Sequence, residues 1–152
     1  MTFTVTPIGH VRSPLADPAA APRQPDEGAP AATLVIDDAY LAGLDGVAVG
    51  ADLLVLTWLH QGRRDALTTR PRNDPTRPEQ GVFSTRSPDR PNPIGLHRVR
   101  VVAVDGGAVG VDALEAVDGT PVLDLKPYLA GFAPRGSVRE PDWARELMDG
   151  YW

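Results

Sequence analysis

Between Gly81 and Arg98 the chain reads GVFSTRSPDRPNPIGLHR, and Arg86, Arg90 and Asn92 within it carry groups able to grip an anion or orient a polar acceptor. Pro88, Pro91 and Pro93 fix φ at their own sites and push Ser87, Arg90 and Asn92 toward extended backbone. Neither a helix nor a central strand runs through such text. A stiff loop between two buried strands is predicted, with a proline-rich linker as the alternative; a stiff loop lowers the ordering cost of binding. Arg23 and Gln24, set between Pro22 and Pro25, repeat the device. His60 and Gln61 end the apolar run DLLVLTWL, and the end of a strand is a common place for binding groups. By itself His60 also fits a solvated loop or a satisfied core histidine.

Several catalytic engines are missing. The sequence has no GxxxxGK[ST] phosphate loop, no GxSxG elbow and no HExxH. Its histidines, 10, 60 and 97, are far apart and no cysteine accompanies them, so no metal set is expected. Gly106 to Gly110 superficially matches a dinucleotide loop but opens on the hairpin signal Asp105-Gly106-Gly107 and leads into strand text. Group transfer from a pre-activated donor needs none of these parts.

The net charge of −5 conceals an asymmetry: from His60 to Arg100, nine arginines face four acids, while the remainder holds six cations against sixteen acids. A basic segment on an acidic body suits contact with a polyanion, although loop arginines are often merely solvated. No basic and apolar leader opens MTFTVTPIGHVRSPL and no long apolar run occurs, so a cytoplasmic protein without membrane contact is expected.

The elements that must position these residues are mainly strands. Sixteen prolines and fifteen glycines in 152 residues suit short strands and irregular loops. Strands are predicted at Phe3–Ile8 with a weak continuation to Pro14, at Leu34–Ile36, Asp52–Leu59, Val99–Val104, Ala108–Leu114 and Val122–Leu125, with a short edge strand at Ala66–Arg70. Asp52–Leu59 reads as buried on both faces. Asp37 or Asp38 is expected to cap a short helix ending before Gly46, and Pro141 to start a helix through Met148 with Trp143 and Leu147 as its docking stripe. Leu15–Ala32 is a long loop. About seven strands with few helices predict a mainly β domain whose sheet is closed or nearly closed.

IGHVRSPL (8 to 15), PRQP (22 to 25), WLHQ (58 to 61), GVFSTRSPDRPNPIGL (81 to 96) and VDGTPVLDLKPYL (117 to 129) together resemble the TsaA-like family, also called YaeB or TrmO. The resemblance covers roughly residues 8 to 129. It implies a single small β-barrel, unlike the Rossmann methyltransferases, placed at 1–135, and the proline-initiated helix leaves a helical tail at 136–152. It also implies a homodimer that uses S-adenosyl-L-methionine to methylate N6 of threonylcarbamoyladenosine at position 37 of the tRNA anticodon loop. Carried over by residue, it puts the donor on Pro22, Arg23, Gln24, His60, Gln61, Arg86, Leu96, Glu115, Ala116, Val117 and Asp118. Asp118 and His60 are then candidate bases, with Arg90 and Asn92 orienting the acceptor. Arg63, Arg64, Arg70, Arg72, Asp89 and His97 are candidate acceptor contacts.

Asp89, His97 and Glu115 depart from the residues usual in the family, and longer members carry a C-terminal extension beyond the end of this sequence. The first two departures fall on the acceptor side. Methylation of a small nitrogen- or oxygen-bearing metabolite is therefore the alternative, and a non-enzymatic sensor of the donor is a third reading.

Overall fold

A computed structural model describes residues 1–149, so the last three positions of the expected tail, 150–152, lie outside the described residues. Two compact units divide it: Met1–Gln61 with Ile94–Tyr128, and Gly62–Pro93 with 129–149. The described part of the expected tail thus groups with the segment starting at Gly62.

Eight strands form among the described residues: β1 (Gly9–Arg12), β2 (Ala32–Ile36), β3 (Asp52–Trp58), β4 (Thr68–Thr69), β5 (Gln80–Gly81), β6 (Ile94–Asp105), β7 (Ala108–Val111) and β8 (Pro121–Pro127). Six of them pair antiparallel in the ring β1-β2-β7-β6-β3-β8, a closed barrel. The ring shuts where Gly9 meets Val122 and His10 meets Pro121. Closure removes the exposed edges that an open sheet would leave.

The mainly β expectation holds, with six strands in the ring where about seven were expected. The inner face follows the two-residue period: Val11, Leu34, Leu53, Val55, Val99, Val101, Val109, Val111 and Val122 are buried. Each contributes roughly 1.5–3 kcal/mol relative to an exposed position. Two polar side chains, Thr57 and His97, share this inner face.

Three local expectations are corrected. The first strand is Gly9–Arg12, not Phe3–Ile8; Pro7 offers no amide to a ladder, and Phe3 and Val5 are exposed. At Gly9 a Cβ would lie 2.1 Å from the Val35 carbonyl oxygen, so the glycine admits the close strand approach. β3 is fully buried on one face only, through Leu53, Val55 and Thr57, while Leu54, Leu56 and Trp58 are half-buried. Asp38–Leu44 is a 3-10 turn, and Asp37 makes no side-chain cap. The hairpin at Gly106-Gly107 forms between Asp105 and Ala108 as expected, with Gly106 at φ 55°.

In the second unit β4 pairs with β5, and Val82 donates its amide to the Leu67 carbonyl at 3.0 Å. A 3-10 turn at Val82–Ser84 follows β5 directly. The predicted terminal helix α1 spans Asp142–Met148, with Trp143 and Leu147 partly buried. The Trp143 indole donates to the Ser84 carbonyl at 3.0 Å, and Arg77 reaches Glu146 at 3.3 Å.

Candidate functional site

Gly95 lies opposite Thr57, and His97 opposite Val55, in the β3–β6 ladder. His97 and Thr57 are therefore diagonal neighbours on the inner face, and the imidazole reaches the hydroxyl over Gly95. A Cβ on Gly95 would sit 2.3 Å from Thr57 Oγ1 and 2.5 Å from His97 Nε2. His97 Nε2 is 2.9 Å from Thr57 Oγ1, and His97 Nδ1 is 2.7 Å from Glu115 Oε1.

An ionised carboxylate only accepts, so Nδ1–H donates to Glu115, and in the neutral ring Nε2 then accepts the Thr57 hydroxyl. Thr57 is fully buried and His97 is 4% exposed. Glu115 Oε2, by contrast, is buried without a hydrogen-bond partner among the described residues. Leaving such an acceptor unmet costs about 1–3 kcal/mol, and more when it is charged. A ligand offering an N–H, an O–H or a positive centre would remove that cost.

The segment carrying Glu115 is tied to both ends of the long loop after β1. Leu114 donates its amide to the Pro30 carbonyl at 3.0 Å, and Asp118 donates to Leu15 at 2.7 Å. Ser13 donates its amide to Asp118 Oδ1 at 2.9 Å. Ala116 and Val117 are buried between these ties. Pro22, Arg23 and Gln24 lie on the loop so anchored, just before a 3-10 turn at Pro25–Glu27. The Arg23 amide is taken by Glu27 Oε2 at 3.1 Å, and the Arg23 side chain stays on an exposed residue.

His60 and Gln61 are exposed in the turn after β3. Leu96 stands on the outer face of β6, 49% exposed, so its side chain and that of His97 point to opposite sides of the barrel wall. Within this unit, carboxylate acceptors, a guanidinium and two carboxamides are available. That set fits a ligand bearing a carboxylate, hydrogen-bond donors and a positive charge.

Other expected acceptor contacts lie in the second unit, where several brace backbone. Arg90, expected to orient the acceptor, donates to the carbonyls of Val82 at 2.7 Å, Thr85 at 3.2 Å and Ser87 at 3.4 Å. Asp89 Oδ1 accepts the Arg63 amide at 2.8 Å, and its Oδ2 pairs with Arg63 Nε at 3.4 Å. Arg64 Nε donates to Pro91 O at 3.1 Å, and Arg70 donates to Arg77 O at 2.9 Å. Proline-rich backbone has few amides for self-pairing, so side chains satisfy its carbonyls instead. Arg72 holds a left-handed φ of 57°. Arg86 and Asn92 are exposed. His97, another expected acceptor contact, is buried on the inner face of β6 and reaches Glu115.

Sequence reasoning missed Thr57, although one signal existed: it is the polar member of the inward series Leu53, Val55, Thr57. It also missed an outer cluster in which Arg100 and Arg98 reach Asp52 at 3.2 and 3.5 Å. The hydrogen bond from Arg100 is the main cause holding the Asp52 carboxyl below its ordinary 3.8. Arg98 also lies over the Tyr128 ring, 5.3 Å from its centre.

Residues 10–133 match the family model described as tRNA-methyltransferase O N-terminal domain. VirR of Rhizobium radiobacter, named as a probable S-adenosyl-L-methionine-binding protein, is 38% identical over 133 residues, covering 88% of this chain and 75% of its own. A protein of Methanothermobacter thermautotrophicus with the same type of name is 40% identical over 128 residues, covering 84% and 91%. The crystal structure of TrmO from Pseudomonas aeruginosa aligns with a TM-score of 0.73 at 32% identity, covering 93% of this chain and 63% of that one. The chain thus spans less than two thirds of the solved structure's length.

Proposed function

The chain belongs to the tRNA-methyltransferase O N-terminal domain family, and on that premise we propose that it is an S-adenosyl-L-methionine-dependent methyltransferase acting on N6 of threonylcarbamoyladenosine at position 37 of tRNA. The observation that carries the donor half is the unpartnered buried oxygen of Glu115. It stands on a segment tied to both ends of the loop bearing Pro22, Arg23 and Gln24. When bound, the donor supplies an electrophilic methyl group on a positively charged sulfur.

This chain's residues divide the remaining work. Arg86 or Arg23 suits a carboxylate, and Gln24, Gln61 and Asp118 suit hydroxyl and base edges. Arg86 is assigned to the donor by resemblance. His60 is an exposed imidazole able to accept a proton; Asp118 keeps Oδ2 beside the oxygen already given to Ser13. Positioning and exclusion of water supply most of the acceleration expected of such a transfer. The exposed arginines 63, 64, 70 and 72, with Asn92, offer an anionic strand its contacts. Homodimeric assembly and a cytoplasmic location belong to the same proposal, and sedimentation analysis tests the former. No helix among the described residues is long and apolar enough to cross a membrane.

The deciding experiment incubates the protein with methyl-labelled donor and tRNA with or without the threonylcarbamoyl group. Label entering only the modified tRNA supports the proposal; label entering neither sinks it. Methylation of a small acceptor is the second reading, favoured by the engagement of Arg63, Arg64 and Arg70 within their own unit. Label appearing in a small-molecule fraction of cell extract, and not in tRNA, would select it. Any enzyme-dependent transfer rules out a non-enzymatic sensor.

A further inference from the structure

The Thr57–His97–Glu115 chain is more elaborate than a barrel core requires. Apolar side chains of similar shape would fill the same space with equal stability, and a purely structural buried carboxylate has both oxygens satisfied. Here one oxygen is held at 2.7 Å by His97 and the other has no partner. Three separate pieces of backbone converge to produce this: β3 through Thr57, β6 through His97, and the stretch before β8 through Glu115. Space for the contact depends on Gly95, whose missing Cβ would overlap both Thr57 Oγ1 and His97 Nε2. The β3–β8 register shifts between Leu56 and Thr57, and such irregularities re-aim side chains beside functional sites.

The geometry points to His97 as a positioning residue. Seated by Thr57, it fixes Glu115 through Oε1 and leaves Oε2 as the acceptor for an N–H, O–H or positive group of the bound methyl donor. The inference rests on the donor-binding reading above and moves His97 from the acceptor side to the donor side. The Glu115 carboxylate sets the tautomer by holding the ring proton on Nδ1, and the Thr57 hydroxyl fixes the ring's rotation by donating to Nε2.

The test measures calorimetric affinity for S-adenosyl-L-methionine and S-adenosyl-L-homocysteine, with imidazole nitrogen NMR as a readout independent of turnover. The wild type is expected to show a His97 Nδ1–H tautomer whose resonance moves when either compound saturates. His97→Phe, folded by its circular dichroism, is expected to bind both about tenfold or more weakly, the loss typical of a hydrogen bond to a charged group. His97→Asn, which offers an N–H near the Nδ1 position, recovers most of the affinity. Thr57→Val removes the second anchor of the ring and weakens binding several-fold.

Wild-type affinity in a folded His97→Phe overturns the inference while leaving the donor reading intact. If that variant does not fold, a His97 resonance unmoved by saturating donor, or wild-type affinity in Thr57→Val, overturns it instead. A wild-type protein that binds neither compound overturns the donor reading and this inference with it.

Discussion

The Arg90 guanidinium donates to the carbonyl of Val82 at 2.7 Å, and its other terminal nitrogen reaches the carbonyls of Thr85 and Ser87. A cation in the most proline-rich part of the chain thus closes that part on itself. Replacement by lysine keeps the charge but not the planar fork of donors. Arg90→Lys is expected to destabilise the protein by about 1–3 kcal/mol, read as a lower urea midpoint. An unchanged midpoint with a reduced transfer rate would instead assign Arg90 to the acceptor.

Gly95→Ala forces a methyl group against Thr57 Oγ1 and His97 Nε2, at 2.3 and 2.5 Å. Overpacking of this kind costs about 1–3 kcal/mol. Adding Thr57→Ala removes the first clash and keeps the second, so the double variant should remain less stable than Thr57→Ala alone. Equal thermal midpoints for those two proteins would contradict the close approach.

Asp52 supplies the acid-dependent prediction. Its carboxyl is held below the ordinary 3.8, first by the Arg100 hydrogen bond. A depressed carboxylate contributes stability that is complete well above the unfolded value and is lost as pH falls through the lower folded value. Asp52→Asn should therefore shallow the fall in stability below about pH 4. An acid-unfolding curve of unchanged steepness would argue against the pairing.

Arg86→Ala tests the donor assignment in the second unit. Loss of a charge-assisted bond to a carboxylate should weaken donor affinity about tenfold or more. Calorimetry that returns the wild-type constant would remove Arg86 from the site.

Binding of tRNA should depend on salt through the exposed arginines 63, 64, 70 and 72. Four phosphate contacts to single-stranded RNA predict a loss of roughly 50-fold between about 50 and 200 mM salt. A flat salt dependence would favour the small acceptor.

Much of the fold was legible because it rests on local rules. The alternation in Ala108–Val111 sets an inner face, Asp105-Gly106-Gly107 marks a hairpin, and Pro141 precedes a helix that forms where expected, whereas the continuous apolar run of Asp52–Trp58 hid which of its faces turns inward. Phe3–Ile8 shows the limit of periodicity: an alternating pattern forms a strand only where a partner ladder exists, and the ladder starts at Gly9.

The proline-braced loops and His60-Gln61 at a strand's end were legible from residue type and order, while the segment from Glu115 to Asp118 came from the family resemblance alone. What each side chain does within them was not legible. Arg90 and Asp89 look like ligand contacts in sequence, and in the fold Arg90 holds neighbouring backbone and Asp89 holds Arg63. His97 looks like an acceptor contact and lies inside the barrel, joined to Thr57 forty residues before it and to Glu115 eighteen residues after it. Proline and alternation act through the chain's own neighbours, and sequence displays them directly. Strand register acts between distant segments, so only the closed ring decided that Gly95 would face Thr57 and leave room for the imidazole.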